Sequence, residues 1–168
     1  FGGWLAAELA VWFPDRVSRL VLIDPVGLRV EGAPIFEIFG SPQHEVWRRA
    51  LPHGGDLLAM VGPALEGDDP DAVIVHILRA METLARVGWN PYLHDPKLPG
   101  RLHTVTAPTL VLWGADDGIV PPAHGEVWAR LIPDARLEVL PDCGHLPALE
   151  RPAEVAAALA AFCAASVG

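Results

Sequence analysis

The chain has few cysteines: Cys143 and Cys163 are the two thiols among its 168 residues. Two cysteines do not build a disulfide framework, and we interpret both as small buried side chains. No apolar run is long enough to cross a membrane. Positive charge is also scarce, with 12 lysines and arginines against 21 acidic residues and a formal net charge of −9. That balance argues against a basic face for nucleic acid.

Hydrophobic residues are abundant, at 51% of the total, which suits one domain with a real core. Short, continuous apolar runs are typical of strands buried on both faces of a parallel sheet. Two such strands are predicted, over residues 17–23 and 109–113, and a third short strand is predicted over residues 136–140. Helical spacing and helix-start signals predict helices over residues 3–13, 44–51, 71–87, 121–131 and 151–165. Strands that alternate with helices indicate an α/β fold with a parallel sheet.

Two of these helices carry an apolar face. The face of the first helix comprises Leu5, Leu9 and Trp12, while Ala6, Ala7 and Ala10 allow close packing. The face of the third helix comprises Ile74, Ile77, Leu78, Met81 and Ala85. For this third helix, Asp71 is the predicted N-cap and Gly88 the predicted stop.

Residues 27–99 differ in composition from the rest of the chain, because prolines, glycines and histidines interrupt the apolar pattern. We interpret this stretch as a small helical cap inserted into the sheet domain. The predicted division is therefore core over residues 1–26, cap over residues 27–99 and core over residues 100–168.

Two loops that directly follow strands carry side chains suited to catalysis. The run WGADDGIVP (residues 113–121) places Asp117 on a glycine-rich turn, and PDCGHLP (residues 141–147) places His145 after the next strand. Parallel strands end at one edge of a sheet, so these two side chains can meet there. Asp116 is an alternative acid in the same loop. Asp24, which ends the first strand, is another, although Asp-Pro more often starts a turn.

The chain opens with Phe1-Gly2-Gly3 and an Ala/Leu-rich helix. Together with the two loops, this order resembles the α/β-hydrolase superfamily, whose nucleophile lies in G-x-S-x-G between a strand and a helix and is followed by an acid and then a histidine. The resemblance covers most of the chain, although residues 27–99 match only as a cap of variable sequence. It implies the C-terminal part of an α/β-hydrolase fold, a parallel sheet flanked by helices with a small helical cap insertion. The nucleophilic serine is then expected immediately before Phe1.

The resemblance assigns a role to each residue. His145 is the general base, and Asp117 holds its imidazole and stabilises the imidazolium. The backbone N–H of Phe1 is a candidate oxyanion donor at the start of a helix. Gly2 and Gly3 allow the tight turn.

The expected reaction is hydrolysis of a carboxylic ester through an acyl-enzyme. One alternative is C–C bond hydrolysis of the meta-cleavage type, which the same motifs fit. A second is a non-catalytic, ligand-binding member of the fold. Dehalogenases and epoxide hydrolases fit less well, because they resemble a pattern with an Asp nucleophile followed by Trp, where this chain has Phe1.

No cofactor and no metal site is expected. His44-Glu45-Val46-Trp47-Arg48 begins like a zincin motif, but Arg48 stands where the second histidine is required. We interpret the remaining histidines as surface or structural residues, although His76 on the third helix could face a substrate. They are His44, His53, His76, His94, His103 and His124.

Three strands are few for a parallel sheet that must be covered on both faces. The expected partners are therefore the upstream half of the same hydrolase domain and a small-molecule ester or related acyl substrate. A homo-oligomer is compatible with the sequence, whereas nucleic acid and a membrane span are not expected.

A cytoplasmic location is the working expectation, and a signal peptide is left open. The start at Phe1 has three explanations: truncation, an upstream half on a separate segment, or a modified nucleophile; we favour the last two together.

Overall fold

A computed structural model of the chain describes residues 1–54 and 69–164. The strands in these ranges are Leu20–Ile23 (β1), Thr109–Gly114 (β2) and Ala135–Leu140 (β3). The helices are Gly2–Trp12 (α1), Gln43–Ala50 (α2), Pro70–Gly88 (α3), Ala123–Leu131 (α4), Pro147–Glu150 (α5) and Pro152–Ala164 (α6). All three predicted strands and all five predicted helices are confirmed, and the single-turn helix α5 is an addition.

The strands form one parallel sheet in the order β1-β2-β3. Leu20 lies beside Thr109, and Thr109 lies beside Ala135. Every residue of β2 is buried because this strand lies between the other two, as the continuous apolar run predicts. In β1, buried residues alternate with half-buried ones, and β3 is mostly half-buried or exposed, so burial on both faces holds for β2 alone.

Helix α1 packs against β1 with a different face from the predicted one. Trp4, Ala7 and Ala10 are buried, as the expectation of close alanine packing requires. In contrast, Leu5, Leu9 and Trp12 are 51–65% exposed. The prediction for these three was wrong because α1 is apolar on nearly every side, and periodicity cannot then identify the inner face.

Helix α3 begins slightly earlier than predicted, and its N-cap is Asp69 in place of Asp71. The Asp69 carboxylate accepts the N–H of Ala72 at 2.9 Å, while Pro70 occupies the first turn, where its missing N–H costs nothing. The helix ends at Gly88. On the predicted apolar face Ile74, Ile77 and Leu78 are 42–60% exposed, whereas Met81 and Ala85 are half-buried, so only the second half of this face is partly covered by the described residues.

The two cysteines have opposite environments. Both are free thiols, Cys143 is buried and Cys163 is exposed, so the prediction of burial was wrong for Cys163. Burial, followed by the negative charge of Glu150, raises the pKa of the Cys143 thiol to about 12.

Within the described ranges, none of the helices combines the length and the hydropathy that a membrane span requires.

Candidate active site

Asp117 lies in the loop that follows β2, and its side chain is fully buried. Its Oδ1 atom accepts the backbone N–H groups of Ile119 and Val120, each at 2.8 Å. These two bonds fix the carboxylate against its own loop and leave Oδ2 directed at a second partner.

That partner is His145, which lies in the loop that follows β3. Its Nδ1 atom is 2.8 Å from Asp117 Oδ2. Because a carboxylate accepts hydrogen bonds, Nδ1 is the donor, and the neutral ring then carries its free lone pair on Nε2. The His145 side chain is 20% exposed, so part of the ring faces open space while the aspartate is enclosed. The sequence-predicted meeting of Asp117 and His145 is therefore present.

The two loops are locked together by their backbones. The N–H of Ala115 donates to the carbonyl of Leu140 at 2.9 Å, and the N–H of Asp116 donates to the carbonyl of Cys143 at 2.8 Å. A Cβ atom on Gly114 would lie 2.0 Å from the carbonyl oxygen of Gly144, so only glycine allows this close approach.

Asp24 follows β1 and is also buried, at 3% exposure. Its Oδ1 atom accepts the N–H of Gly114 at 3.0 Å. Its Oδ2 atom is buried and has no hydrogen-bond partner among the described residues. Burial, strengthened by the negative charge of Asp117 and partly offset by the Gly114 hydrogen bond, raises the Asp24 pKa to about 9. Asp24 is therefore a neutral carboxyl group at pH 7. A residue that stabilises an imidazolium must instead carry a negative charge.

Asp24, Asp117 and His145 each offer one potential metal-ligating atom, and these atoms lie within 4.8 Å of one another. They are the described residues that could hold an ion at this edge of the sheet. However, His145 and Asp117 are hydrogen-bonded to each other, so a metal would have to compete with that bond.

Asp116, the alternative acid, has a different partner. Its Oδ2 atom lies 2.7 Å from Nε2 of His53, and both side chains are well exposed, at 49% and 40%. The other five histidines outside the site lie in different environments. Among them His124 is fully buried and its Nε2 atom lies 2.8 Å from the Ala33 carbonyl, while His44, His76 and His103 are exposed.

Phe1 occupies the N-cap position of α1 and packs edge-to-face on Trp4, with ring centroids 5.4 Å apart. A Cβ atom on Gly3 would lie 2.8 Å from Cβ of Pro25, so this helix start requires glycine to sit against the end of β1. Phe1 also lines a cleft of about 500 Å³ whose opposite wall is α3. The α3 residues in that wall are His76, Arg79, Ala80, Thr83 and Leu84.

A second cleft, of about 740 Å³, lies between residues 28–35 and residues 90–96, with His124 in its wall. Neither Asp117 nor His145 lines either of these two clefts, and the smaller one contains Phe1, the predicted oxyanion residue.

Three contacts at this site were not predicted from the sequence. The carbonyls of Arg49 and Ala50, at the end of α2, accept N–H groups from the two site loops, and Glu150 accepts the N–H of Gly144. Backbone carbonyls leave no signal in a sequence. Glu150 does leave one: it is an acidic residue in the turn that directly follows the site histidine.

Comparison with known sequences identifies the family. The sequence model of the alpha/beta hydrolase family matches residues 1–158. The chain therefore belongs to the alpha/beta hydrolase family, as the resemblance of its motifs indicates, and has the corresponding fold.

The relatives are hydrolases. A 2-hydroxy-6-oxononadienedioate/2-hydroxy-6-oxononatrienedioate hydrolase of Comamonas testosteroni is 29% identical over 160 residues, which cover 86% of this chain and 53% of that protein. A pimeloyl-(acyl-carrier protein) methyl ester esterase of Aromatoleum aromaticum is 35% identical over 182 residues, covering 92% of this chain and 68% of that protein.

A solved structure shows the same fold. The 2-hydroxy-6-oxo-6-phenylhexa-2,4-dienoate hydrolase from Rhodococcus sp. strain RHA1 superimposes with a TM-score of 0.73 at 24% identity, covering 98% of this chain and 62% of that chain. The chain thus spans about half the length of several of the curated relatives that it matches, 53% in the first of them.

Proposed function

We propose that the complete protein is a serine hydrolase that cleaves carboxylic esters through an acyl-enzyme. The observation that carries the proposal is the 2.8 Å contact between His145 Nδ1 and the buried Asp117 carboxylate. A serine hydroxyl is a weak nucleophile until a base removes its proton, and an imidazole held by a buried carboxylate is such a base. We assign the nucleophile to a serine immediately before Phe1.

In this mechanism Nε2 of His145 takes the serine proton as the hydroxyl oxygen attacks the ester carbonyl. Asp117 stabilises the imidazolium, and Nε2 then returns the proton to the leaving alkoxide. Water repeats the sequence on the acyl-enzyme and releases the acid. The backbone N–H of Phe1 donates to the oxyanion at the N-terminal end of α1, where the helix dipole favours negative charge.

The substrate site proposed here is the cleft between Phe1 and α3. Its walls combine apolar surface with the polar side chains of His76, Arg79 and Thr83. Residues 27–99, which include α3, would then act as the cap that sets substrate size. The upstream half of the domain would supply the nucleophile and the second oxyanion donor.

A C–C bond hydrolase is the second candidate, and the similarity to the Comamonas testosteroni enzyme favours it. The similarity to a methyl ester esterase favours the first candidate. Both reactions use the same acid–base pair, so the geometry of Asp117 and His145 does not separate them.

The test is a substrate comparison with the complete protein. Short p-nitrophenyl esters are assayed beside a 2-hydroxy-6-oxo-dienoate ring-fission product, with a His145→Ala variant as the matched control. Ester turnover that exceeds ring-fission turnover and is lost in His145→Ala supports the proposal. Faster turnover of the ring-fission product selects the second candidate, and binding without turnover of either substrate indicates a non-catalytic member of the fold.

A further inference from the structure

The end of α2 contacts both loops that carry the acid–base pair. The N–H of Gly118, next to Asp117, donates to the Arg49 carbonyl at 3.3 Å. The N–H of His145 itself donates to the Ala50 carbonyl at 2.8 Å. The last carbonyls of a helix have no partner within the helix, so they are free to accept these bonds.

Glu150 adds a second connection between the same regions. One carboxylate oxygen accepts the N–H of Gly144, the residue before His145. The other accepts the N–H of His53 at 2.8 Å, in the segment that leaves α2. Hydrogen bonds from N–H groups to a carboxylate are charge-assisted and stronger than neutral ones.

These contacts converge on the backbone of the histidine. Consecutive N–H groups, those of Gly144 and His145, are held by the Glu150 carboxylate and by the end of α2. Glu150 touches neither Asp117 nor the His145 ring in the hydrogen-bond pattern of the described residues. Its effect on the ring therefore passes through the loop backbone.

We propose that Glu150 is a positioning residue that holds the His145 loop in register with Asp117 by tying it to the segment after α2. The inference rests on the proposed function of the Asp117–His145 pair. It gives residues 27–99 a role besides covering the substrate, since the end of α2 and residue 53 take part in aligning the base.

The negative charge of Glu150 also acts on the surrounding groups. It contributes to the raised pKa values of Cys143 and Asp24, after burial in each case and, for Asp24, after the charge of Asp117 as well. This places the carboxylate within electrostatic reach of the site, in agreement with its hydrogen bonds.

The experiment compares Glu150→Ala and Glu150→Gln with wild type in the complete protein, and uses Glu154→Ala as the matched control. Glu154 is an exposed glutamate in the first turn of α6. The readouts are kcat and KM on an ester, the low-field proton NMR signal of His145 Nδ1–H, and the melting temperature.

A displacement of reacting groups by about 1 Å can cost on the order of 100-fold in rate. We therefore expect Glu150→Ala to lower kcat by about that factor with little change in KM. The Nδ1–H signal should shift or broaden. Glu150→Gln keeps one acceptor oxygen and should fall between Ala and wild type, while Glu154→Ala should match wild type.

A folded Glu150→Ala protein with wild-type kcat and an unchanged Nδ1–H signal would overturn the proposal. If the Ala variant does not fold, the near-isosteric Gln variant decides in the same way. The NMR signal separates the two proposals: a signal that depends on Glu150 in a protein without hydrolase activity would keep the positioning role and reject the proposed function.

Discussion

Asp24 and Asp117 follow neighbouring parallel strands, and both are buried, yet their carboxyl groups differ in the hydrogen bonds that they accept. Asp117 accepts two backbone N–H groups and contacts His145. Asp24 accepts one N–H, and its second oxygen has no partner among the described residues. The same sequence signal, an aspartate after a buried strand, thus gives a fully bonded carboxylate in one case and a neutral carboxyl group in the other.

The chain after each aspartate explains the difference. Asp117 precedes Gly118, Ile119 and Val120, and the loop turns so that the last two N–H groups point back at the carboxylate. The equivalent positions after Asp24 are Val26 and Gly27, and the N–H of Gly27 donates to the Leu93 carbonyl at 2.8 Å. Asp24 is therefore buried without the pair of loop donors that would favour its charged form.

The largest effect is expected when each aspartate is neutralised in turn in the complete protein. Asp117→Asn should lower kcat/KM for an ester by about 10⁴-fold, because the amide cannot stabilise the imidazolium and favours the wrong tautomer of His145. Asp24→Asn should have only a small effect, because that group is already neutral at pH 7. Steady-state kinetics of both variants decide. A large loss in Asp24→Asn with activity retained in Asp117→Asn would move the acid to the end of β1.

Asp24 should also make the stability of the folded protein depend on pH. In the unfolded chain Asp24 loses its proton near its ordinary pKa of 3.8, whereas in the folded protein it keeps the proton up to about pH 9. Unfolding therefore releases a proton between these values, so Asp24 lowers the free energy of unfolding progressively as the pH rises through this range.

Asp24→Asn removes that dependence. The difference in the free energy of unfolding, variant minus wild type, should therefore increase as the pH rises from about 5 to about 8. Urea denaturation measures this difference. An unchanged difference across this range would mean that Asp24 is ionised in the folded protein, contrary to its buried, singly bonded environment.

The smallest effect is expected at Asp116, the third aspartate. Its pair with His53 is well exposed, and such pairs contribute about 0–1 kcal/mol to stability. Asp116→Asn should therefore change kcat/KM and the melting temperature little. If it abolished activity as Asp117→Asn is expected to do, the assignment of the acid within this loop would be wrong.

The sheet and its two loops could be predicted because their signals are local. Continuous apolar runs mark β1 and β2, and the residues that directly follow β2 and β3 include Asp117 and His145. Which aspartate contacts the histidine is a weaker signal, since Asp24, Asp116 and Asp117 all follow strands. The orientation of the N–H groups around each one decides, and it depends on the loop conformation.

The inner face of α1 could not be predicted. This helix carries more apolar residues than one face can bury, so periodicity selected Leu5, Leu9 and Trp12 where the structure buries Trp4, Ala7 and Ala10. The contacts of Arg49 and Ala50 with the site loops were also outside the reach of sequence patterns. They join segments that are distant in the chain, and both use backbone carbonyls.

The position of the nucleophile is tested by labelling the complete protein with a fluorophosphonate and mapping the adduct by mass spectrometry. If Asp117 and His145 activate a serine next to α1, one adduct should form on a serine immediately before Phe1, and labelling should be strongly slowed in His145→Ala. An adduct at another position, or labelling at an unchanged rate in His145→Ala, would mean that Asp117 and His145 do not activate a serine next to α1.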